Sequence, residues 1–197
     1  MKPRLRPAGL LWIFLAIGAA LPLAAQNRAA GQSKHGYCAS CHGVEGRSAK
    51  PHYPILAGQS ERYLLAQLKD FKQGRRREPN MDAVVPQLSA QDMRDLAAFF
   101  ASVKPARGRF EPDPEKFARG KLKAAQFGCA RCHARNSDFR LKPAPRIAGQ
   151  HRDYLAKQLR DFRDGRRADN DNPMRRITES LSDADIDNLG EYFAGIR

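Results

Sequence analysis

Apolar residues recur at intervals of three and four positions along much of this chain, which is the spacing of an amphipathic helix. The pattern predicts paired helices over Glu61–Gln73 and Arg152–Asp164, each ended by a glycine C-cap. No convincing run of alternating apolar and polar residues, the pattern of a half-buried strand, accompanies them. The chain is therefore predicted to be all-α. The first helix shows the spacing in Tyr63, Leu64, Leu68 and Phe71, and the two glycines are Gly74 and Gly165.

Two further pairs of helices are predicted around this pair. A short helix leads into each of two cysteine-containing segments, and a longer one lies near the end of each half of the chain. The longer helices follow a serine that can cap the N-terminus, and their first turns carry acidic residues that complement the helix dipole. The short helices are Ala29–Tyr37 and Phe117–Phe127, and the longer ones are Ala90–Val103 after Ser89 and Asp183–Gly195 after Ser182.

These paired elements belong to one sequence module that occurs twice. A shift of 91 residues places the Ala-Gly-Gln of positions 57–59 on that of positions 148–150. Over residues 55–76, 12 of the 22 positions are identical after this shift, and further along the offset becomes 93. The region between the two copies contains three prolines and mixed charges, which is typical of a semi-rigid linker. We therefore divide the chain into module 1 (26–104), a linker (105–116) and module 2 (117–197).

The four cysteines of the chain all lie in two Cys-x-x-Cys-His motifs, which span 38–42 and 129–133. This motif is the attachment signature of c-type haem. The two thiols add to the two vinyl groups of one porphyrin, and the following histidine is placed to bind the iron. The sequence therefore predicts two covalently bound haem c groups and an electron-transfer function. The attachment residues are Cys38, Cys41, Cys129 and Cys132, and the proximal iron ligands are His42 and His133.

A Cys-x-x-Cys pair also has other uses. It occurs as a thioredoxin-like redox motif, as half of a zinc site and as a disulfide, and two pairs together can form a Cys₄ zinc site. Pairs that share one zinc ion usually lie closer together than 91 residues. Neither the zinc site nor the redox motif requires a histidine directly after each second cysteine, and the haem interpretation explains both histidines.

The sixth iron ligand of an electron carrier is commonly methionine or histidine. Of the four methionines, Met1 belongs to the N-terminal segment and Met174 alone follows His133. In module 1 the candidates are Met81 and Met93. Met93 falls inside the last predicted helix of its module, where an apolar side chain belongs to the core. The remaining pair is Met81 and Met174.

The repeat supports this pair, because each methionine follows an Asn/Pro dipeptide in a predicted loop and precedes a Leu-Ser sequence by seven residues. We therefore predict Met81 and Met174 as the distal ligands, although a methionine at such a place can also fill a gap in the core. Bis-histidine ligation is the other arrangement to consider. His35, His52 and His151 do not align between the modules, so surface or hydrogen-bonding roles are favoured for them.

The N-terminus has the features of a secretory signal peptide over residues 1–25. Basic residues precede an apolar run from Ala8 to about Leu23, and Ala24-Ala25 offers a small-residue cleavage site. Bacteria attach c-type haem outside the cytoplasmic membrane, so a periplasmic location follows. The alternative is an uncleaved membrane anchor, because no charge falls between Arg6 and Arg28.

Charge then limits the partners. The chain carries a net charge of +14, and loss of the three basic residues of the signal segment leaves +11. Such a surface favours encounter with an acidic redox protein or an anionic membrane surface. The arginine runs at 75–77, 166–167 and 175–176 would also suit nucleic acid, but an exported haem protein rarely meets it, and solvated charge is the favoured interpretation.

Taken together, the residues resemble the dihaem cytochromes c of the cytochrome c4 type. The resemblance covers essentially the whole mature chain and includes both Cys-x-x-Cys-His motifs, the Ala-Gly-Gln-x₃-Tyr-Leu-x₂-Gln-Leu-x-Asp-Phe stretches, and each methionine seven residues before Leu-Ser. It implies two tandem class I cytochrome c domains, related by pseudo-twofold symmetry and facing each other through their haem propionates. It also implies electron transfer from a quinol-oxidising complex to a terminal oxidase.

The resemblance suggests roles for two more residue pairs. In small cytochromes c the carbonyl of a proline 12 residues after the haem histidine accepts the imidazole N–H, and Pro54 and Pro145 have this spacing. Such a bond orients the ring and increases its basicity, and a simple turn proline is the alternative. Tyr63 and Tyr154 are expected either to reach a propionate or only to pack.

Three functions fit this set of features. The first is an electron carrier with no substrate chemistry of its own. The second is the cytochrome subunit of an oxidoreductase such as a flavocytochrome sulfide dehydrogenase. The third is a dihaem peroxidase, which needs an open iron position and nearby acid–base groups. A methionine for each iron and the lack of a duplicated distal histidine favour the carrier.

Overall fold

The structure, a computed structural model, describes residues 23–133, 144–168 and 173–197. Within these ranges the chain forms ten α-helices, two short 3₁₀ turns and no β-strand, which confirms the all-α prediction. Module 1 contains α1 (Leu23–Lys34), α2 (Gly36–His42), α3 (Glu61–Lys72), α4 (Pro79–Val84) and α5 (Ala90–Ser102). Module 2 contains α6 (Pro114–Gln126), α7 (Ala130–His133), α8 (Arg152–Arg163), α9 (Pro173–Thr178) and α10 (Asp183–Gly195).

The first helix of each module differs from its prediction. In module 1 the single helix expected over Ala29–Tyr37 is two helices, α1 and α2, and the haem motif itself lies in the second. In module 2 the helix begins at Pro114 and takes in the last three residues of the predicted linker. The cause is local, because the Asp113 side chain caps the helix by accepting from the Lys116 N–H, and proline suits the first helical position.

Each module is built on the crossing of its first and last long helices, α1 with α5 and α6 with α10. Glycine allows the backbones to touch. A methyl group on Gly31 would lie 2.1 Å from the carbonyl oxygen of Asp95, and one on Gly120 would lie 2.0 Å from that of Asn188. Since no side chain fits at these distances, both crossings require glycine.

Each module has a hydrophobic core beside this crossing. It lies where α3 packs on α5 in module 1 and where α8 packs on α10 in module 2. Each fully buried Leu, Ile or Phe side chain contributes about 1.5–3 kcal/mol relative to its exposed state. In module 1 the buried cluster comprises Leu64, Leu96, Ala97, Phe99 and Phe100. In module 2 it comprises Ala124, Ala156, Leu181, Ile186 and Leu189.

The serines and the glycine predicted at the helix ends form the expected caps. Ser89 and Ser182 each cap a helix through a reciprocal capping box, with Asp92 and Asp185 respectively. Gly74 has a φ of +69°, and its N–H and that of Arg75 close the end of α3 onto the carbonyls of Phe71 and Asp70. This is a Schellman ending, which favours glycine at its left-handed residue.

The segments at the two ends of module 1 also bear on the predictions. Residues 1–22, which hold most of the predicted signal peptide, lie outside the described ranges, and Ala24-Ala25 lies in the first turn of α1. Across the described residues, no helix has the length and apolar character needed to cross a membrane. Between α5 and α6 the chain runs without helix from Val103 to Asp113.

Candidate haem-binding sites

The two thiols of module 1 lie on one face of α2, because Cys38 and Cys41 are three positions apart on a helix. Burial, and to a smaller extent the neighbouring Cys41, raises the pKa of the Cys38 thiol, and burial also raises that of Cys129 in module 2. A redox-active nucleophile needs the opposite shift, because the thiolate is the reactive form.

The structure does not support the competing uses of these cysteines. All four cysteines are described, and none is paired in a disulfide. Among the described residues no group of three or more histidine, cysteine or acidic side chains could hold a metal ion. A Cys₄ zinc site between the modules is therefore not formed.

Each motif histidine is held by the proline predicted to hold it. The Nδ1 of His42 lies 2.9 Å from the carbonyl oxygen of Pro54, and the Nδ1 of His133 lies 2.9 Å from that of Pro145. Burial lowers the pKa of both imidazoles, against the opposing influence of the proline carbonyl. A carbonyl only accepts, so Nδ1 carries the proton of the neutral ring and Nε2 keeps its lone pair. This tautomer fits an iron ligand, and the residues therefore fit the predicted cofactor.

The predicted methionine ligands lie in matching places, but not in loops. Met81 is in the short helix α4, which begins with Pro79, and Met174 is in α9, which begins with Pro173. The loop prediction was wrong because proline at the first helical position starts a turn of helix instead of preventing one. Both side chains are half-buried. Met93 is 5% exposed in α5, as expected of a core residue.

The three other histidines have different surroundings. His151 donates from Nε2 to the carbonyl oxygen of Ser48 at 2.9 Å, a contact between the modules. The His35 ring lies against Phe99, with their centroids 4.9 Å apart. His52 is exposed. These positions match the surface and hydrogen-bonding roles that the sequence favoured.

A closed ring of hydrogen bonds joins the modules at their centre, and sequence reasoning did not find it. Arg76 donates to Gln67 Oε1 in its own module at 2.8 Å and to Gln158 Oε1 in the other at 2.9 Å. Arg167 donates to the same two oxygens, each at 2.7 Å. Both arginines are buried, and their backbones form an antiparallel bridge. We call this set the arginine–glutamine ring.

Two tyrosines flank this ring, and each one binds an arginine of the ring. The hydroxyl of Tyr63 accepts from Arg167 at 2.9 Å, and that of Tyr154 accepts from Arg76 at 3.0 Å. Each tyrosine therefore contacts the opposite module, a role beyond the two that the sequence suggested. The signal was available, because Tyr, Gln and Gly-Arg-Arg all recur under the 91-residue shift.

A second reciprocal contact involves the glutamine of each Ala-Gly-Gln sequence. Gln150 donates to the Ile55 carbonyl at 3.0 Å and accepts from the Ile55 N–H at 2.9 Å. Gln59 forms the same two bonds with Arg146, both at 2.9 Å. Because Ile55 and Arg146 are equivalent under the 91-residue shift, the interface has an approximate twofold axis.

Among the described residues, three interface contacts break this symmetry. The first is the bond from His151 to Ser48, since the residue equivalent to His151 in module 1 is Ser60. The second is the ion pair of Lys157 with Glu78, whose atoms lie 2.9 Å apart, and the equivalent of Lys157 is Ala66. The third is the bond from the Arg146 guanidinium to the Gly58 carbonyl, since the equivalent of Arg146 is Ile55.

Two helical modules, each with a Cys-x-x-Cys-His motif beside a proline-supported histidine, define a two-domain c-type cytochrome with the class I fold. A family model for cytochrome c matches residues 29–104. Cytochrome c4 of Azotobacter vinelandii is 40% identical, over 95% of this chain and 98% of the relative. The chain belongs to the cytochrome c4 family.

Comparison of coordinates agrees with this assignment. The crystal structure of reduced recombinant cytochrome c4 from Pseudomonas stutzeri matches with a TM-score of 0.77 and 39% identity, over 86% of this chain and 98% of that one. The thiosulfate dehydrogenase electron acceptor of Stutzerimonas stutzeri is 33% identical, over 81% of this chain and 78% of the relative. The chain is thus an electron-transfer cytochrome with two covalently bound haem c groups.

Proposed function

We propose that this protein is a dihaem electron carrier that uses all of its candidate site residues as ligands or attachment points. One haem is attached to Cys38 and Cys41, with iron bound by His42 and Met81. The second haem is attached and bound by Cys129, Cys132, His133 and Met174. The observation that carries the proposal is the duplicated pair of motif histidines, each with its Nδ1 2.9 Å from a proline carbonyl oxygen.

The chemistry supplied by the bound haem is a one-electron exchange between ferrous and ferric iron. The chain sets how readily this exchange occurs. The proline carbonyls fix each imidazole ring and increase the basicity of Nε2, which favours the ferric state. The thioether sulfurs of Met81 and Met174 act in the opposite direction, because methionine–histidine ligation raises the reduction potential.

The interface keeps the two centres at a fixed separation. Two arginines, four glutamines and two tyrosines bond across it in matched pairs, and both arginines are buried. Opening the interface would expose or unpair these groups, and an unpaired buried polar group costs about 1–3 kcal/mol. Such an arrangement suits a carrier that takes up an electron at one module and releases it at the other.

We infer a periplasmic location after removal of residues 1–25, with electrons passing from a quinol-oxidising complex to a terminal oxidase. The net charge of +11 that remains suits acidic surfaces on these partners or an anionic membrane surface. Nucleic acid is not proposed as a partner.

A second candidate function is electron acceptance from a sulfur-oxidising enzyme. The relative named as a thiosulfate dehydrogenase electron acceptor is 33% identical over 81% of this chain, which supports this donor class as the alternative. Reduction by a thiosulfate dehydrogenase at rates well above those with a quinol-oxidising complex would support it, and the reverse order would support the respiratory carrier.

The proposed function is tested by counting and classifying the haems in the purified mature protein. We expect two haems per chain in the pyridine haemochrome assay. We also expect the weak long-wavelength charge-transfer band of methionine-ligated ferric haem, at twice the intensity found in a monohaem standard. A single haem, or a full haem count without this band, would contradict the ligand assignment.

A further inference from the structure

One peptide group of module 1 lies between its haem histidine and a side chain of module 2. The carbonyl of Pro54 accepts from His42 Nδ1 at 2.9 Å. The N–H of the same peptide group belongs to Ile55, and it donates to Gln150 Oε1 at 2.9 Å. The histidine of module 1 is therefore connected to a glutamine of module 2 through a single peptide unit.

Module 2 has the same connection in reverse. The peptide group between Pro145 and Arg146 accepts from His133 Nδ1 at 2.9 Å and donates to Gln59 Oε1, also at 2.9 Å. Each glutamine lies in one module and reaches the histidine support of the other. The contact is therefore exchanged between the modules, and neither module completes it alone.

The Ala-Gly-Gln sequence explains how each glutamine is placed. Gly58 and Gly149 have φ values of +70° and +71°, a region that favours glycine. The N–H of each glycine donates to the last helix of its own module, at the carbonyls of Phe100 and Phe193, both at 2.8 Å. The turn is thus fixed to its own module, while the next side chain extends into the other.

Both glutamines are almost fully buried, with 7% exposure for Gln59 and 8% for Gln150. The oxygen and the nitrogen of each side-chain amide form hydrogen bonds. The Oε1 of Gln150 also accepts from the N–H of His151 at 3.0 Å, and that of Gln59 accepts from the N–H of Ser60 at 2.9 Å. The donors and acceptors around each amide define which atom is oxygen and which is nitrogen, so the orientation has one solution.

We propose that Gln150 and Gln59 are positioning residues that act in trans, each on the axial histidine of the opposite module. The proposal rests on the proposed function, in which His42 and His133 bind iron. An N–H bond to the glutamine polarises the shared peptide group and makes its carbonyl a stronger acceptor for the imidazole. The imidazole then becomes a stronger donor to iron, which stabilises the ferric state.

The resulting prediction is a crossed effect on the two haems. Gln150→Leu removes the acceptor for Ile55 N–H while keeping a similar volume, and we expect the reduction potential of the module 1 haem to rise. Gln59→Leu is the mirror experiment, and the potential of the module 2 haem should rise. In each variant the haem of the mutated module should shift less than its partner.

The measurement combines a potentiometric titration with NMR of the reduced, isotopically labelled holoprotein. NMR identifies each axial histidine by its Nδ1–H signal, and the weakened bond should exchange this proton with solvent faster than in the wild type. Lys157→Ala is the matched control, because it breaks an interface ion pair with Glu78 and leaves both glutamines in place. In this control, neither Nδ1 proton should exchange faster than the other relative to the wild type.

The crossed pattern supports the proposal. Shifts confined to the mutated module, or equal shifts at both haems that Lys157→Ala reproduces, would overturn it. If a leucine variant fails to assemble, Gln150→Asn keeps the amide but shortens the side chain by one methylene, so the bond to the Ile55 N–H weakens and the potential of the module 1 haem should again rise more than that of the module 2 haem. A haem count below two, or an axial ligand other than these histidines, would instead count against the proposed function.

Discussion

Module 1 and module 2 are most alike in two places: at the haem motif and at the interface between them. The histidine–proline bonds have the same length, the Ala-Gly-Gln turns have the same backbone, and both arginines bind the same two glutamine oxygens. The helix crossings at Gly31 and Gly120 also match. They match although Gly120 lies two residues further from its haem motif than Gly31 does.

The modules differ in the ion pairs that join their first and last long helices. In module 1, Lys34 binds both Asp92 and Asp95, at 2.7 and 2.8 Å. In module 2 the equivalent Lys123 binds Asp185 at 3.0 Å, and the place of Asp95 is taken by Asn188. This contrast indicates that the duplicated copies are constrained by contacts to the histidine and to the partner module, whereas the ion pairs between the first and last helices are free to change.

The largest expected effect comes from the helix crossings. Gly31→Ala and Gly120→Ala each place a methyl group about 2 Å from a backbone carbonyl oxygen, so the two helices must separate. We expect each variant to lose most of its haem-loaded protein, measured as haem absorbance per purified chain. Gly36→Ala is the control, because nothing lies within 4 Å of its added methyl. Normal yields for Gly31→Ala would show that this crossing is not required.

The next effect distinguishes the two distal ligands. Met81→Ala and Met174→Ala should each remove half of the long-wavelength charge-transfer band and lower one of the two reduction potentials, because the thioether that favours ferrous iron is lost. Met93→Leu keeps a similar volume in the core and should leave the band intact at a cost below about 1.5 kcal/mol. Loss of the band in Met93→Leu would reassign the ligand of module 1.

The sequence was sufficient for most of the long helices and for recognising the haem motif, for a physical reason. Helix periodicity and caps are local, and the Cys-x-x-Cys-His motif carries its chemistry in five consecutive residues. The repeat added the comparison that separated Met81 from Met93. It did not show that the methionines lie in helical turns, because the Asn/Pro dipeptide before each one predicts a loop, whereas the proline is the first residue of a short helix.

The interface could not be derived in the same way. Nothing in the spacing of Gln67 and Arg76 shows that they bond to the other module, because the 91-residue shift reveals equivalence but not proximity. The roles of Tyr63 and Gln59 depend on the same packing of one module on the other. The signal that the sequence does contain is the recurrence of a polar group on Tyr, Gln and Arg at equivalent positions of both copies.

A smaller effect compares the helix caps. Ser89→Ala and Ser182→Ala each remove the side chain of a capping box and should lower the free energy of unfolding by about 1 kcal/mol in urea titrations. Ser60→Ala should cost less, because the Tyr63 N–H that it caps lies 3.5 Å away. The equivalent residue His151 forms no side-chain cap on α8, so module 2 already lacks this bond. Equal costs at all three serines would contradict the distance argument.

The smallest effect concerns pH and the ion pairs that distinguish the modules. Hydrogen bonds from Lys34 and Ser89 hold the pKa of Asp92 well below its usual value. In module 2, burial opposes the shift, but bonds from Lys123 and Ser182 still lower the pKa of Asp185. A carboxyl group whose pKa is lower in the folded than in the unfolded state stabilises the protein above the unfolded pKa of about 4. This contribution is lost as the pH falls from there through the folded-state pKa.

Lys34→Met should therefore lower the free energy of unfolding at pH 7, and its difference from the wild type should shrink toward pH 2. Lys123→Met should show a smaller difference, since among the described residues Lys123 has one acidic partner and Lys34 has two. A difference that stays constant across this range would show that the lysines act through packing and not through charge.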